Sequence, residues 1–398
     1  MELSSLIYLK DAIEKGKSLK PNFRTKNIPV EESVGLYASQ EIRSPSDFPL
    51  YDRSAVDGFA LRANETISSS KLNPSVFRIV GNVTASSPIS RTSKGTAVKI
   101  ATGGRIPEGS DSVVMKEETE EEGDILKVYS PVRRFQNVSR RGEDLKEGVA
   151  ILKKGRRVNP AHVAALIESG IGEVSVFDLS IGILSTGDEL VSGLVKNSTQ
   201  PFIKALIESR GFHAKSYGVV QDDGGKILSA LESMDDDIII VTGGSGPGEM
   251  DLLPEIVSNH GKLIFRGIRI RPGRTTGLGV INGKPIFMVS GLPVAAMIAI
   301  ENVMMPLLSL WLNLFIEPDP MITGKLERSV VNPVGIRSFV RVKVEKGGDA
   351  SSITPTRTTG SGVVYSILES DGILEVEENS EGIEAGENVT VKLMRWWG

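Results

Sequence analysis

The sequence has no cysteine and only three histidines among its 398 residues. Without cysteine there is no disulfide, thiolate zinc site, iron–sulfur cluster or cysteine nucleophile. His162, His213 and His260 are scattered, and none has another histidine at metal-ligand spacing. This disfavours a histidine zinc site and a serine–histidine triad, and we interpret the three histidines as structural. We therefore expect carboxylates to carry out any metal binding or acid–base catalysis. Carboxylates prefer hard cations such as Mg²⁺.

The chain also lacks a strong excess of charge of either sign. Its 46 Lys and Arg residues against 50 Asp and Glu residues give a formal net charge of −4. Dedicated nucleic-acid binders usually carry a basic excess, so we predict no nucleic-acid partner. The first residues lack the basic start and apolar core of a signal peptide, which favours a cytoplasmic protein.

The most apolar stretch runs from Val294 to Ile316 and is long enough to raise the question of a membrane span. Glu301 and Asn302 lie inside it, and such residues are costly in a bilayer. We therefore predict a buried or interface helix and no membrane contact.

Glycine is abundant: 42 of 398 residues, roughly a tenth of the chain against a usual ~7%. Glycine is favoured where the backbone turns tightly or approaches another group closely, so many such places are expected. The chain is longer than the ~250–300 residues at which single cores stop growing, which predicts several domains.

The pattern of apolar residues changes along the chain. Leu6 to Lys17 has helical spacing, and Asn159 caps a second predicted helix from Pro160 to Ser169. Short β-prone runs between turn residues occupy Asn27 to about Lys127 and predict a β-rich lobe. Strands and helices then alternate from Leu179 to about Ile316, which is typical of a doubly wound α/β domain. Beyond this, β-prone runs predict a small C-terminal β domain.

Carboxylates follow three predicted strands of the α/β region. Glu189 follows the first strand, Asp222 the second, and Asp251 closes a glycine-rich loop after the third. Ligands in open α/β sheets bind outside the carboxyl ends of the strands. The loop from Gly243 to Gly248 suits a phosphate, and nearby carboxylates suit Mg²⁺. Each of these segments taken alone also fits an ordinary turn or a helix cap. Three acidic strand ends together favour a ligand-binding site.

The glycine-rich loop excludes two common nucleotide motifs. No Lys-Ser or Lys-Thr follows it, so it is not a Walker A sequence, and it lacks the Gly-x-Gly-x-x-Gly order of dinucleotide-binding folds. An arginine-rich segment supplies the opposite charge: Arg269 and Arg271 share one face of a predicted strand, and Arg274 follows a Pro-Gly turn. The segment fits either a solvated edge strand or a grip for an oxyanion, and both interpretations stay open.

Six segments resemble signature motifs of the molybdopterin molybdenumtransferase (MoeA) family, which includes the gephyrin E domain. They occur in the family's order and extend over nearly the whole chain. The segments are SAVDGFA at 54–60, ATGGRIPEGSDSVV at 101–114, GED at 142–144 with Gly148, STGDEL at 185–190, GGSGPGEMD at 243–251, and TGSG at 359–362 followed by Asp371 and Gly372.

The resemblance implies a multidomain α/β and β protein that forms a homodimer with sites between subunits. It implies four parts: a discontinuous linking α+β domain (1–26, 41–50 and 139–178), a β-rich lobe (27–40 and 51–138), an α/β molybdopterin-binding-type domain (179–316) and a C-terminal β domain (317–398). It also implies the reaction, in which molybdate or tungstate is inserted into adenylylated molybdopterin with release of AMP and the help of Mg²⁺. Other cofactor-biosynthesis proteins are possible partners.

Residue by residue, the resemblance implies three sets of site residues. The functional positions correspond to Asp57, Thr102, Asp144, Glu189, Asp222 and Asp251. The implied metal ligands are Glu189, Asp222 and Asp251, beside a pyrophosphate on Gly243, Gly244, Ser245, Gly246 and Gly248. The oxyanion positions correspond to Arg271, Arg274, Arg341 and Ser361.

Two segments depart from the family pattern. The usual PGKP is Pro272 to Thr275 here, with Arg274 for lysine, and Arg271 replaces the preceding lysine. The usual GLPGNPVS is shortened at Gly291 to Ala295 and apparently lacks a Gly-Asn pair. These departures motivate an alternative function, a catalytically weak paralogue that binds molybdopterin or acts as a scaffold. A generic phosphotransferase is a third hypothesis.

Overall fold

The computed structural model describes residues 5–19, 21–88, 90–243, 252–345, 347, 351–357 and 362–394. Its α-helices are α1 (Leu9–Lys17), α2 (Pro160–Glu168), α3 (Asp188–Val191), α4 (Thr199–Ser209), α5 (Gly224–Ser233), α6 (Leu252–His260), α7 (Pro293–Ala299), α8 (Met305–Leu312) and α9 (Tyr365–Leu368). Short 3₁₀ turns occupy Val30–Glu32, Ala63–Thr66 and Lys116–Glu118, and a π-helical turn occupies Ile300–Met304.

The strands follow the predicted β-prone runs. They are β1 (Thr25–Pro29), β2 (Ile42–Arg43), β3 (Arg53–Ser54), β4 (Gly58–Leu61), β5 (Ser75–Val83), β6 (Thr96–Ile100), β7 (Ser112–Met115), β8 (Thr119–Glu122), β9 (Ile125–Val128), β10 (Val138–Ser139), β11 (Ala150–Leu152), β12 (Glu173–Phe177), β13 (Ser180–Thr186), β14 (His213–Val220), β15 (Ile238–Thr242), β16 (Lys262–Arg266), β17 (Ile270–Arg271), β18 (Gly277–Ile281), β19 (Lys284–Val289), β20 (Met321–Leu326), β21 (Val330–Val331), β22 (Arg337–Glu345), β23 (Ser351–Arg357), β24 (Gly372–Val376), β25 (Gly382–Ile383) and β26 (Asn388–Leu393).

The chain divides into two compact units. The larger unit comprises Met1–Gln40, Lys153–Pro160 and Glu173–Gly398, and the smaller unit comprises Glu41–Leu152 and Ala161–Gly172. The finer division into four domains stays a prediction.

A six-stranded sheet in the larger unit confirms the predicted doubly wound α/β fold. Its order is β14-β13-β15-β19-β18-β16, with the first four strands parallel. Ile181 and Ile240 face one core with α4 and α7, whereas Ile239 faces a second core with α5 and α6. Each fully buried side chain of this kind contributes about 1.5–3 kcal/mol, which explains why the strands are continuously apolar.

The sheet differs from an all-parallel one at one edge, where β18 runs antiparallel to both of its neighbours, β19 and β16. A tight turn joins β18 to β19, with Asn282 at φ 51° and Gly283 at φ 79°. This hairpin chemistry turns the chain straight back, where a parallel connection would need a crossover helix.

The apolar stretch predicted as a buried helix forms α7, the π-helical turn and α8. By length and composition Pro293–Leu312 would suffice to cross a membrane, but 67% of its most apolar window is buried inside the protein. All residues of α7 are buried. This is the pattern of a core helix.

The C-terminal strands form the predicted β domain. Strands β22, β23, β20, β26 and β24 pair in that order, and β24 pairs back to β22, so the sheet closes into a small barrel. Its core contains Val342, Ile353 and Val391. The short strand β17 adds to this sheet from the arginine-rich segment, because Ile270 and Arg271 pair in parallel with Arg337 and Ser338.

Half-buried charges connect these parts of the larger unit. Arg210, at the end of α4, donates to Glu301 in the π-helical turn at 3.0 and 2.5 Å. Asp319 lies 3.5 Å from Arg210 and 2.8 Å from Lys392 of β26. The π-helical turn thus places Glu301, the residue that argued against a membrane helix, in an ion-pair network.

The smaller unit contains the predicted β-rich lobe. Its main sheet has the order β7-β4-β6-β5-β9-β8, in which only β5 and β6 are parallel among the described pairs. Phe59, Phe77 and Leu126 are buried on one face of it. Two short antiparallel pairs, β2 with β11 and β3 with β10, complete the unit's described strands.

Candidate functional site

A cavity of 470 Å³ opens at the carboxyl ends of the parallel strands in the larger unit. Glu189, Asp222 and Gly243, three residues predicted for the site, line this one cavity. The lining residues are Thr186, Gly187, Glu189, Leu190, Val195, Lys196, Asn197, Ser198, Thr199, Asp222, Ile227, Thr242, Gly243, Leu252, Leu253, Gly291, Leu292, Pro293 and Gly362. The parallel arrangement therefore brings the predicted strand ends together, as the sequence analysis expected.

Glu189 reaches the cavity through a glycine turn after β13. Gly187 has φ 150°, a conformation that favours glycine, and its N–H donates to the carbonyl of Val220 at 3.1 Å. A Cβ on Gly187 would lie only 2.8 Å from the carboxylate of Glu189. The glycine thus leaves the space that the Glu189 side chain occupies.

Gly243, directly after β15, is a second glycine with no room for a side chain. It has φ 153°, and a Cβ at this position would lie 2.1 Å from Oγ1 of Thr186. A side chain here requires the two strand ends to separate. The remaining predicted loop residues, Gly244, Ser245, Gly246, Gly248 and Asp251, lie outside the described residues.

The two aspartates after β14 have different roles. Asp222 lines the cavity, and its N–H donates to the Asp188 carboxylate at 3.3 Å. Asp223 caps α5, since its carboxylate accepts from the N–H of Lys226 at 2.9 Å. The cap interpretation thus applies to Asp223, whereas Asp222 stays available to a ligand.

A buried hydrogen-bond network under the cavity was not foreseen from the sequence. The hydroxyls of Ser185 and Thr242 lie 2.9 Å apart, and the Asn197 amide donates to Ser185 at 3.0 Å. The Asn197 carbonyl oxygen accepts from the N–H of Gln200 at 3.2 Å. An asparagine just before a predicted helix is a capping signal and offers a way to find this residue.

The shortened GLP segment lies at the cavity. Gly291, Leu292 and Pro293 line it, and the Gly291 carbonyl accepts from the Thr199 hydroxyl at 2.6 Å. Pro293 then begins α7, where its fixed φ suits the first helical position. This departure from the family pattern therefore changes the wall of the candidate site.

Two of the three predicted metal ligands lie within the described residues. Glu189 and Asp222 line the same cavity, but among the described residues no group of three or more histidine, aspartate or glutamate side chains is arranged to hold a metal ion. Asp251, the third predicted ligand, lies outside them. The metal assignment stays a prediction.

The predicted oxyanion residues lie near the junction of β17 with the barrel. Arg271 is half-buried on β17, Arg274 is exposed after the turn, and Arg341 is 3% exposed on β22. None of these arginines is among the described residues that line the cavity. Ser361 lies outside the described residues, although its neighbour Gly362 lines the cavity.

For Arg269, the structure decides between the two interpretations of the arginine-rich segment. Its Nε donates to the Leu6 carbonyl and its Nη1 to the Tyr8 hydroxyl, each at 3.0 Å. Ile7 forms a parallel bridge with Ile268. The segment is therefore not a free edge, because the N-terminal segment covers it, and Arg269 has a structural role.

In the smaller unit, Asp57 and Thr102 are in direct contact. One carboxylate oxygen of Asp57 accepts from the Thr102 N–H at 2.7 Å and from its hydroxyl at 2.8 Å. These two bonds, the backbone one first, lower the pKa of Asp57 below its ordinary value of 3.8. Both side chains are exposed, so an ionised carboxylate is presented to solvent.

Asp144, the third predicted residue of the smaller unit, is positioned by its backbone. Its N–H donates to the carbonyl of Phe48 at 3.2 Å, and the neighbouring Leu145 N–H donates to the same carbonyl at 3.0 Å. Gly142, at φ 69°, makes the turn before it. The Asp144 side chain is exposed.

Family models match three consecutive parts of the chain. Residues 7–170 match the MoeA N-terminal region (domain I and II), residues 182–310 match the probable molybdopterin binding domain, and residues 323–394 match the MoeA C-terminal region (domain IV). The cavity's lining from Thr186 to Pro293 lies within the second match.

Full-length relatives agree. A Methanocaldococcus jannaschii protein whose name places it in molybdopterin biosynthesis is 36% identical over 394 residues, which are 95% of this chain and 94% of the relative. A Staphylococcus aureus molybdopterin molybdenumtransferase is 29% identical over 99% of this chain and 97% of its own length. The crystal structure of the molybdopterin biosynthesis MoeA protein of Pyrococcus horikoshii superposes with a TM-score of 0.84 at 30% identity, covering 98% of this chain and 100% of that one. The chain therefore belongs to the MoeA family.

Proposed function

We propose that the chain is a molybdopterin molybdenumtransferase that inserts molybdate or tungstate into adenylylated molybdopterin and releases AMP. The observation that carries the proposal is the 470 Å³ cavity, in which Glu189, Asp222 and Gly243 meet at the strand ends. The lining is both polar and apolar, which suits a substrate that joins a flat ring system to phosphates.

Glu189 and Asp222 would hold a divalent cation such as Mg²⁺. Carboxylate oxygens are the ligands that this hard cation prefers, and both carboxylates line one cavity without a protein cation bridging them among the described ion pairs. Such a cation, when bound, polarises a phosphoryl oxygen. Asp251 is the proposed third ligand.

The backbone after β15 would position the pyrophosphate. Gly243 begins the glycine-rich loop, and successive backbone N–H groups in such a loop form a concave anion site. The buried Ser185–Thr242 hydroxyl pair connects the ends of β13 and β15, just before Gly243. Preorganised donors of this kind stabilise charge without reorganisation during reaction.

Arg271, Arg274, Arg341 and Ser361 would bind the molybdate or tungstate. Guanidinium forks match tetrahedral oxyanions, and Arg271 lies on a strand that pairs with β22, which carries Arg341. In this proposal Asp57, Thr102 and Asp144 of the smaller unit also take part in the reaction. The enzyme acts as a homodimer in the cytoplasm, with other cofactor-biosynthesis proteins as partners.

Release of AMP from adenylylated molybdopterin and molybdate tests the function. We expect Glu189→Gln and Asp222→Asn each to slow AMP release by at least about a hundredfold, as loss of transition-state charge stabilisation does in other enzymes. Glu208→Gln is a matched control, because Glu208 is exposed on α4 and pairs with Lys204 at 3.1 Å. Equal rates for the three variants and the parent would contradict the roles of Glu189 and Asp222.

The altered cavity wall favours a second candidate, a protein that binds the pterin without turnover. Gly291, Leu292 and Pro293, where the family pattern is shortened, line the cavity. Isothermal titration with adenylylated molybdopterin and molybdate, read together with AMP release, distinguishes the two. Tight binding without AMP release would replace the enzyme by a binding protein.

A further inference from the structure

The described lining of the strand-end cavity contains one basic side chain. Lys196, in the loop between α3 and α4, lines the cavity together with the carboxylates of Glu189 and Asp222. The proposed function gives both carboxylates a role but gives the lysine none. Two carboxylates repel a phosphate, so the positive charge of Lys196 matters for the binding of any anionic substrate.

Lys196 has no counter-ion in the described part of the chain. Its side chain is exposed, and the described ion pairs of the larger unit include none with Glu189, Asp222 or another acidic residue. By contrast, Lys204 on the neighbouring helix α4 pairs with Glu208 at 3.1 Å. The charge of Lys196 is therefore available to an anionic ligand in the cavity.

The backbone of Lys196 is held in a tight turn. The Ser198 N–H donates to the Lys196 carbonyl at 2.9 Å, and the Val195 N–H donates to the Glu189 carbonyl at 3.1 Å. The second bond ties the loop to α3, the helix that carries Glu189. The backbones of Lys196 and Glu189 are therefore held close together at one wall of the cavity.

The next residue anchors this turn in the protein interior. The Asn197 amide donates to the Ser185 hydroxyl at 3.0 Å, and that hydroxyl contacts the Thr242 hydroxyl at 2.9 Å. Ser185 and Thr242 are buried at the ends of β13 and β15. The buried network thus fixes the position of Lys196 relative to both strand ends that open into the cavity.

Helix α4 adds a positive potential at the same wall. It begins at Thr199 and is 11 residues long, and both Ser198 and Thr199 line the cavity. The amino end of a helix carries a partial positive charge, which favours an anion beside Lys196. The Gln200 side chain holds this end against the sheet, since it donates to the Ile183 carbonyl at 3.0 Å.

We propose that Lys196 binds the pyrophosphate group of adenylylated molybdopterin, and that it does so before any divalent cation is present. The ammonium group of lysine is a compact positive charge that suits phosphate oxygens. Glu189 and Asp222 repel the group until a cation lies between them and the phosphate, whereas Lys196 attracts it directly. This inference rests on the proposed function for the identity of the pyrophosphate.

Isothermal titration of the full chain with inorganic pyrophosphate in EDTA tests the inference. The ionic strength is about 0.1 M, so that exposed charges more than roughly 10 Å apart are screened. We expect Lys196→Gln to bind at least about tenfold more weakly than the parent, since a hydrogen bond to a charged group is worth a factor of this order. Lys196→Arg keeps the charge and should restore most of the affinity.

Lys204→Gln is the matched control for the loss of a lysine charge. Lys204 lies on α4 and is paired with Glu208 at 3.1 Å. Its replacement should change the affinity for pyrophosphate less than about twofold. A loss as large as that of Lys196→Gln would show that only the net charge matters, and would overturn the inference.

Glu189→Gln should act in the opposite direction. In EDTA this variant should bind pyrophosphate at least as tightly as the parent, because one repelling charge is removed, although the same variant slows AMP release. Weaker binding by Glu189→Gln would mean that the carboxylate attracts the anion without a cation, which contradicts the assignment to Lys196.

Molybdate distinguishes the pyrophosphate from the other anionic substrate. At equal concentration it should not displace pyrophosphate from the parent, because none of the proposed oxyanion arginines is among the described residues that line the cavity. Displacement from the parent would assign Lys196 to the oxyanion instead. Circular dichroism and thermal unfolding establish that the variants are folded.

Equal pyrophosphate affinity of the parent and the folded Lys196→Gln variant overturns the inference, as does the absence of pyrophosphate binding to the parent in EDTA. The proposed function fails separately. If pyrophosphate binding depends on Lys196 but adenylylated molybdopterin yields no AMP, the site stands and the reaction is wrong. If Lys196→Gln releases AMP with an unchanged KM for adenylylated molybdopterin, the reaction stands and the role of Lys196 is wrong.

Discussion

Glu189 and Asp57, the two acidic residues at the centre of the two predicted groups, are held in place by different means. Glu189 depends on backbone geometry, because a Cβ at Gly187 would lie 2.8 Å from its carboxylate, and the neighbouring strand end at Gly243 is equally close-packed, with a Cβ 2.1 Å from Thr186 Oγ1. Asp57 depends on two hydrogen bonds from Thr102 at an exposed position. The first arrangement is sensitive to added volume, whereas the second is sensitive to charge and to hydrogen-bond donors.

The largest effect should come from Gly243→Ala. A methyl group here meets Thr186 Oγ1 at 2.1 Å in a conformation that favours glycine, so we expect a loss of about 3 kcal/mol in the free energy of unfolding and loss of AMP release. Chemical denaturation and the AMP assay measure the two effects.

Gly225→Ala is the control for this substitution. Gly225 lies in α5, where a Cβ meets only Asp223 Oδ1 at 3.4 Å, and alanine should raise helix stability by about 0.5–1 kcal/mol. If both alanine variants were equally stable and active, the steric account of the cavity would be wrong.

A smaller effect is expected from Thr242→Val. The substitution keeps the shape but removes the hydroxyl that contacts Ser185 at 2.9 Å in a fully buried position. We expect the free energy of unfolding to fall by about 1–3 kcal/mol, because a buried polar atom loses a partner. Thr323→Val is the matched control, since the Thr323 hydroxyl is exposed on β20 and contacts Thr390 at 3.2 Å; a similar loss there would show that burial is not the cause.

The smallest effect concerns the charge of Asp57. Thr102→Val removes the hydroxyl donor but keeps the stronger backbone donor, so the pKa of Asp57 should rise part of the way toward 3.8. Carboxyl NMR titration measures this, and the pKa of Asp47, which is lowered by the Glu147 N–H and by Arg141, should not move. An unchanged pKa of Asp57 would mean that the hydroxyl does not contribute.

The direction of the pH dependence follows from the same shift. Because the pKa of Asp57 is lower in the folded state, the carboxylate stabilises the fold above pH 3.8, and this contribution is lost as the pH falls through the folded-state pKa. Thr102→Val should therefore weaken the pH dependence of stability in this acidic range. Thermal unfolding at a series of pH values measures it.

The sequence was informative wherever one local pattern determines the structure. The helix that capping and glycine signals predicted from Pro160 to Ser169 is observed at Pro160–Glu168, and the meeting of Glu189 with Asp222 follows from the rule for parallel strand ends. Asp57 and Thr102 were identified only through family resemblance, because residues 45 positions apart give no local signal of contact.

Other features depend on contacts between distant segments and could not be predicted from local patterns. The Ser185–Thr242–Asn197 network joins three elements, and each of its members alone is an ordinary polar residue. Arg269 appeared equivalent to Arg271 by strand alternation, but contact with Leu6 and Tyr8 gives it a structural role. Likewise, Arg53 forms a β-bridge with Arg105, although the two residues are 52 positions apart in the sequence.

Strand β17 has a mechanical consequence. By sequence it belongs to the α/β region, but its backbone is bonded to β22 of the barrel, with Arg271 opposite Ser338 and Arg341 three residues, about 10 Å, further along the strand. If the barrel tilts during a catalytic cycle, it carries both arginines with it as one piece. The spacing between Arg271 and Arg341, two proposed ligands of the oxyanion, would then stay constant while their distance to the cavity changes. A tilt of the barrel would therefore move both ligands together.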